Sequence, residues 1–238
     1  DYPIKDLTKT EAFRMPFHAI DEEETSNQLE MACELLGDEL PCVVDRGPAY
    51  RMWTADICTS LGYLRGIENL MFDMMDQPEE LHSLCARMSQ GVLKTHEEAE
   101  AAGDWSLIDH QNQAMPYSLE LPWPQPHVPA KRKDLWGYMA SQEFTLISPE
   151  QFDEFLLQYQ LPILKHFGLT AYGCCEDLTR KIDKLRQIPN LRRIAVSPFA
   201  DVRSCAEQIG RDYAMSYRPT PADLPGSDCL ALCEKNIR

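Results

Sequence analysis

Leu169-Thr170-Ala171-Tyr172-Gly173-Cys174-Cys175-Glu176 is the stretch on which the reading of the fold turns. An apolar run meets two adjacent cysteines and a carboxylate. The residues before it, Ser148–Phe167, carry a helical pattern, and so do the residues after it, Asp177–Ile188. A strand between two helices, with thiols at its C-terminal end, is expected. In parallel α/β folds that end of the strands is where chemistry sits. Two readings of the thiols stand. Cysteine is among the most buried residue types, so the pair fits plain packing. A thiol-plus-carboxylate cluster equally suits zinc.

Working outward, Ser148-Pro149-Glu150-Gln151 is a helix start. Ser148 caps, Pro149 takes the first helical position, and Gln151 completes a capping box. Phe152, Phe155, Leu156, Tyr159, Ile163 and Phe167 form its inward stripe, and Pro162 is expected to kink it. Upstream, Leu135–Ala140 reads as a strand that ends in the polar Ser141-Gln142-Glu143. Downstream come a strand at Leu191–Ser197, a helix Val202–Ile209 capped by Asp201, and a strand at Tyr213–Tyr217. A loop, Arg218–Pro225, and a helix, Cys229–Arg238, follow.

The first half is more mixed. Glu22–Leu36 is a helix ended by Gly37, with acids in its first turn where the helix dipole favours them. Pro41–Asp45 reads as a short strand, and Arg46–Trp53 as a loop whose arginines suit an anion. Short helices at Ala55–Gly62 and Ile67–Met75 precede a long one from Gln77 to about Ala102, which Gly103 ends. His96-Glu97-Glu98 lacks the second histidine of a metalloprotease motif and reads as solvated surface. Trp105–Asp109 is a strand, followed by the hydrogen-bonding cluster His110-Gln111-Asn112-Gln113. A stiff proline-rich loop, 116–129, comes next.

Composition bounds the function. The chain has 238 residues, 44% hydrophobic and 26% charged, which fits a globular protein with ample core. A net charge of −15 argues against a nucleic-acid surface, which needs a basic stripe. No apolar run approaches the ~20 residues that span a bilayer, and no secretory signal opens the chain. The nine cysteines are odd in number and lack a CxxC pair, which points to reduced thiols in the cytoplasm. About six strands, each followed by a polar or proline-bearing turn, alternate with helices. No GxGxxG follows any of them, so a dinucleotide fold has no support. The expected fold is α/β: one domain over residues 1–238, a TIM-like (β/α)8 barrel incomplete at one or both ends.

Five segments carry a family resemblance. They are LRGIENLMFDMMDQPEELHSL (Leu64–Leu84), MPYSLELP (Met115–Pro122), LWGYMASQEFTLISPEQFDEF (Leu135–Phe155), YGCCEDL (Tyr172–Leu178) and IPNLRRIAVSPFADV (Ile188–Val202). With them the chain resembles the uroporphyrinogen decarboxylase-like superfamily, in the branch that holds cobalamin-linked methyltransferases. The resemblance implies a TIM-like barrel and a site at the C-terminal strand ends. It also implies transfer of a methyl group between a small methylated substrate and a corrinoid or thiol acceptor, the corrinoid (cobalamin) arriving on a partner protein. Methyltransferases of this branch hold zinc through a His-x-Cys pair and a later cysteine. Here Tyr172 stands where the histidine would be, and Cys174, Cys175 and Glu176 are the expected metal ligands. His110, Gln142 and Glu143 are the expected catalytic residues. Arg51, Gln111, Gln113, Tyr117, Trp136, Tyr172 and Asp201 are expected to bind substrate. A homodimer is a further expectation. Two alternatives stay open: a uroporphyrinogen decarboxylase-type lyase without cofactor, its pocket lined by Arg46, Arg51 and Arg218, and a non-catalytic ligand-binding barrel.

Overall fold

A computed structural model describes residues 2–48, 56–106, 118–123 and 128–220. Its centre is a parallel sheet of four strands, β1 (Trp136–Met139), β2 (Leu169–Tyr172), β3 (Leu191–Val196) and β4 (Ala214–Tyr217), in the order β1-β2-β3-β4. Parallel neighbours need crossovers, and each crossover here carries helix. Among the described residues the sheet does not close. The fold is therefore mixed α/β, with four of the six expected strands in one sheet.

The helices start and stop where side-chain chemistry allows. Helix α1 (Glu22–Leu36) begins at Asp21, whose carboxylate accepts the Glu24 N–H at 3.0 Å. None of its residues is buried, so its propensity and its cap do the work that packing does elsewhere. Helices α2 (Cys58–Arg65) and α3 (Ile67–Asp76) meet at Gly66, whose φ of 85° only glycine adopts readily. The corner is fastened by a buried pair, Arg65 to Asp73, at 2.7 and 2.8 Å. Helix α4 (Pro78–Ala102) has proline in its first turn and left-handed Gly103 after its last. Leu81, Leu84, Cys85 and Val92 are buried on one stripe, as expected.

Between β1 and β2 run α5 (Pro149–Phe152), a π-helical turn (Asp153–Leu157) and α6 (Gln158–Leu164). Ser148 caps the start through the Gln151 N–H at 3.2 Å. The Gln151 side chain does not return to the cap; its amide reaches Met75 Sδ at 3.5 Å, so only half of the expected capping box forms. The π turn lies just before Pro162, which has no N–H to give the preceding turn. Helix α7 (Ile182–Leu185) joins β2 to β3, and α8 (Val202–Ile209) joins β3 to β4.

Four expectations need correction. Pro41–Asp45 is irregular and not a strand: no described strand pairs with it, and Asp45 turns back on the Gly47 N–H at 2.9 Å. The helix over Asp177–Ile188 shrinks to α7, because Asp177 holds the Thr179 N–H at 2.8 Å and competes with helix formation. His96 is not solvated; it is buried, with its ring edge-on to Trp105 (5.1 Å) and Phe167 (5.9 Å). Of the strand over Trp105–Asp109, Ser106 makes one isolated antiparallel bridge to Pro129, and 107–109 lie outside the described residues. The helix over Cys229–Arg238 lies outside them too.

The two faces of the sheet differ. Met139, Tyr172, Ile194 and Val196 join the large core with residues of α2, α4, α6 and α8. The opposite face carries a smaller cluster of Trp136, Leu169 and Ala171, with Leu121 and Tyr138 against it and, among the described residues, no helical residue in it.

Candidate functional site

The turn after β2 is set by Gly173, with φ of 96°. A Cβ there would meet Leu178 Cδ1 at 2.6 Å, so both backbone and space require glycine. The turn brings Glu176 back under the sheet edge, where it is 2% exposed. Its Oε1 accepts the Ser141 N–H at 2.6 Å and the Ser141 hydroxyl at 3.1 Å, and its Oε2 accepts the Cys174 N–H at 2.7 Å. One carboxylate thus ties the C-terminal ends of β1 and β2 together. Lys181 is buried nearby and donates to the Phe144 carbonyl and, at 3.3 Å, to that of Thr145. Burial brings the Lys181 amine down to about 8, against the opposing charge of Glu176.

Above this tie sit the thiols. Cys174 is half-buried and Cys175 exposed, with their sulfurs 3.6 Å apart. Arg218, just after β4, donates through Nη1 to the Cys174 carbonyl at 3.2 Å and to its sulfur at 3.5 Å. The Cys174 sulfur, and then burial, raise the Cys175 thiol above its ordinary range. Tyr138 donates to the Gly173 carbonyl at 3.2 Å, and burial, then the Cys174 sulfur, hold its phenol far above the usual range. Arg193 donates to Ser216 Oγ at 2.7 Å. Burial, then the charge of Arg218, lower its guanidinium. Tyr138, Ala171, Arg193, Ala195 and Arg218 line a narrow, closely packed cleft.

On the helix-covered side of the same edge lies a second polar group. Asp56 accepts the Ile57 N–H (2.6 Å), the Gln160 amide (2.9 Å), and the Cys58 and Ala140 N–H groups (3.3 Å each). Burial outweighs these donors and pushes its carboxyl up to about 6. Gln160 accepts the Tyr172 hydroxyl at 2.7 Å, and the Cys58 thiol donates to Glu143 at 2.9 Å. Burial, then the charges of Asp56 and Glu143, raise that thiol well above its ordinary value.

The expected site residues fall into six groups. Cys174, Cys175 and Glu176 are at the lip, but only the thiols face outward. Tyr172 is buried in the core with its hydroxyl taken by Gln160. Glu143 is half-buried against α2, and Gln142 is exposed beside it. Trp136 is on the same face as Tyr138, buried, and its indole N–H has no acceptor among the described residues. Asp201 is exposed and caps α8 through the Ser204 N–H at 2.9 Å. Arg51, His110, Gln111, Gln113 and Tyr117 lie outside the described residues. Tyr138 and Arg193 were not singled out by sequence. The signal for Arg193 is a charge inside an apolar strand, LRRIAVS, on the face opposite Ile194.

Cys174, Cys175 and Glu176 do not fit a zinc ion as arranged. Both carboxylate oxygens of Glu176 are committed to N–H and O–H donors. Among the described residues no group of three or more histidine, cysteine, aspartate or glutamate side chains is placed to hold a metal. No described helix is long and apolar enough to cross a membrane. In comparisons with known proteins, no family model, no curated protein and no solved structure matches the chain.

Proposed function

We propose that the chain is a barrel-type enzyme of the uroporphyrinogen decarboxylase-like superfamily. Its reaction moves a methyl group between a small anionic substrate and a corrinoid or thiol acceptor at the C-terminal lip of the sheet. The observation that carries this reading is the convergence of Arg218, Arg193 and Tyr138 beside the outward-facing Cys174 thiol. The barrel reading is supported by strands that pair in sequence order, with helices on one face. Arg193 and Arg218 hold the anionic group of the substrate, as guanidinium forks suit carboxylates. Tyr138 orients it. Gln142 and His110 assist the transfer, and the corrinoid partner docks at the lip. No step is routed through zinc.

A carboxy-lyase is the second reading, favoured by the same two guanidinium groups, since a carboxylated tetrapyrrole needs such partners. One experiment separates the two. The purified chain is mixed with methylcobalamin and 3-mercaptopropionate, and separately with uroporphyrinogen. Loss of the methylcobalamin spectrum, slowed at least about tenfold in Arg218→Ala, is the expected result. Release of carbon dioxide with no change in the corrinoid moves the assignment to the lyase. Neither signal ends both.

A further inference from the structure

We propose that Cys174 and Cys175 form a thiol–disulfide exchange site that takes a small-molecule disulfide and closes reversibly to a vicinal disulfide. Neither the methyltransferase nor the lyase reading is needed for this. The two sulfurs are 3.6 Å apart in the reduced chain, one half-buried and one exposed, so no large movement precedes bond formation. The turn that holds them is pinned on both sides. Left-handed Gly173 precedes them, and the Cys174 N–H is fixed on Glu176 at 2.7 Å. Glu176 is saturated by its other donors and does not compete for the thiols. Arg218 contacts the Cys174 sulfur at 3.5 Å, which places a positive charge beside the sulfur that attacks.

The chemistry balances without a cofactor. The Cys174 thiolate attacks one sulfur of the oxidant RS–SR; the Cys174–SR bond forms and RS⁻ leaves, taking a proton. The Cys175 thiol then loses its proton and attacks Cys174, and the second RS⁻ leaves as RSH. The chain loses two hydrogens, and the oxidant becomes two thiols. Adjacent residues in a trans chain have Cα atoms about 3.8 Å apart, below the ordinary span of a disulfide. The ring is therefore strained and easily reduced, the property of a switch and not of a structural bridge. It closes at the same lip as Arg218, so the redox state sets what that guanidinium meets.

The test uses the full chain, purified without oxygen and treated with oxidised glutathione. Free thiols are then alkylated and the tryptic peptide His166–Arg180, which holds these two cysteines and no other, is weighed. A peptide two hydrogens lighter, restored by dithiothreitol, is expected. In Cys175→Ser the same peptide should carry a glutathione that persists on Cys174, because nothing resolves it. Modification at exposed Cys33 shows that the oxidant acted. A wild-type peptide that stays fully alkylated while Cys33 reacts overturns the proposal. So does a stable glutathione adduct in the wild type, or a disulfide to a second copy of the chain.

Discussion

Two tyrosines on neighbouring strands show how the faces of one sheet are put to different use. Tyr172 on β2 points into the helical core, is 1% exposed, and gives its hydroxyl to Gln160. Tyr138 on β1 lies on the other face, half-buried, in a cleft with two arginines. On the first face buried polar groups at the C-terminal edge bond to one another: Asp56 has four donors, and Glu143 takes the Cys58 thiol. On the second face Arg193, Arg218 and Tyr138 line one cleft, and Arg218 reaches the Cys174 sulfur. A face whose polar groups bond to one another holds the fold, and a face that gathers guanidinium groups suits an anion.

The largest effect is expected where the ends of β1 and β2 are tied. Glu176→Ala leaves the Ser141 and Cys174 N–H groups without an acceptor and Lys181 without its nearest opposing charge. A loss of about 3–5 kcal/mol in urea unfolding is expected. A loss below about 1 kcal/mol shows that the tie is dispensable and that the lip is held by packing alone.

The self-satisfied face should also set the pH dependence, with a sign that can be worked out. Asp56 holds its proton up to about pH 6 in the folded chain, against an ordinary value of 3.8. Its contribution is full below about pH 4 and is lost as pH rises through 6, about 3 kcal/mol in all. Lys181 behaves oppositely in its own range. Its folded value of about 8 lies below 10.5, so its contribution is full above that value and is lost as pH falls through 8. Urea midpoints across pH 4–6 should fall in the wild type and stay flat in Asp56→Asn. A wild-type midpoint that rises over that window contradicts the buried, protonated carboxyl.

Much of the sheet is legible in the sequence, for local reasons. Short apolar runs at Leu135–Ala140, Leu169–Tyr172 and Leu191–Val196 are bounded by glycine, proline and capping residues, and those signals act within a few positions. Asp201 caps α8 as its spacing implies. What depends on distant partners is not legible. Whether Glu176 faces a metal or a backbone is decided by Ser141, 35 residues away in the chain. The phase of β1 and β2, which sends Tyr172 inward and leaves Tyr138 in the cleft, is set by pairing and by helix packing rather than by the tyrosines themselves. His96 looks polar beside two glutamates, yet Trp105 and Phe167 close over it. In the same way, Pro41–Asp45 has the composition of a strand but no described strand to pair with.

The most direct test sets the two tyrosines against each other. Tyr172→Phe and Tyr138→Phe each remove one hydroxyl, and both proteins are followed by urea unfolding and by methyl transfer from methylcobalamin. Tyr172→Phe should lose about 1–2 kcal/mol of stability and, while folded, keep its rate. Tyr138→Phe should unfold within about 0.5 kcal/mol of wild type and lose most of its rate. The reverse pattern, with Tyr138 moving stability and Tyr172 moving the reaction, contradicts the division of the sheet into a holding face and a working face.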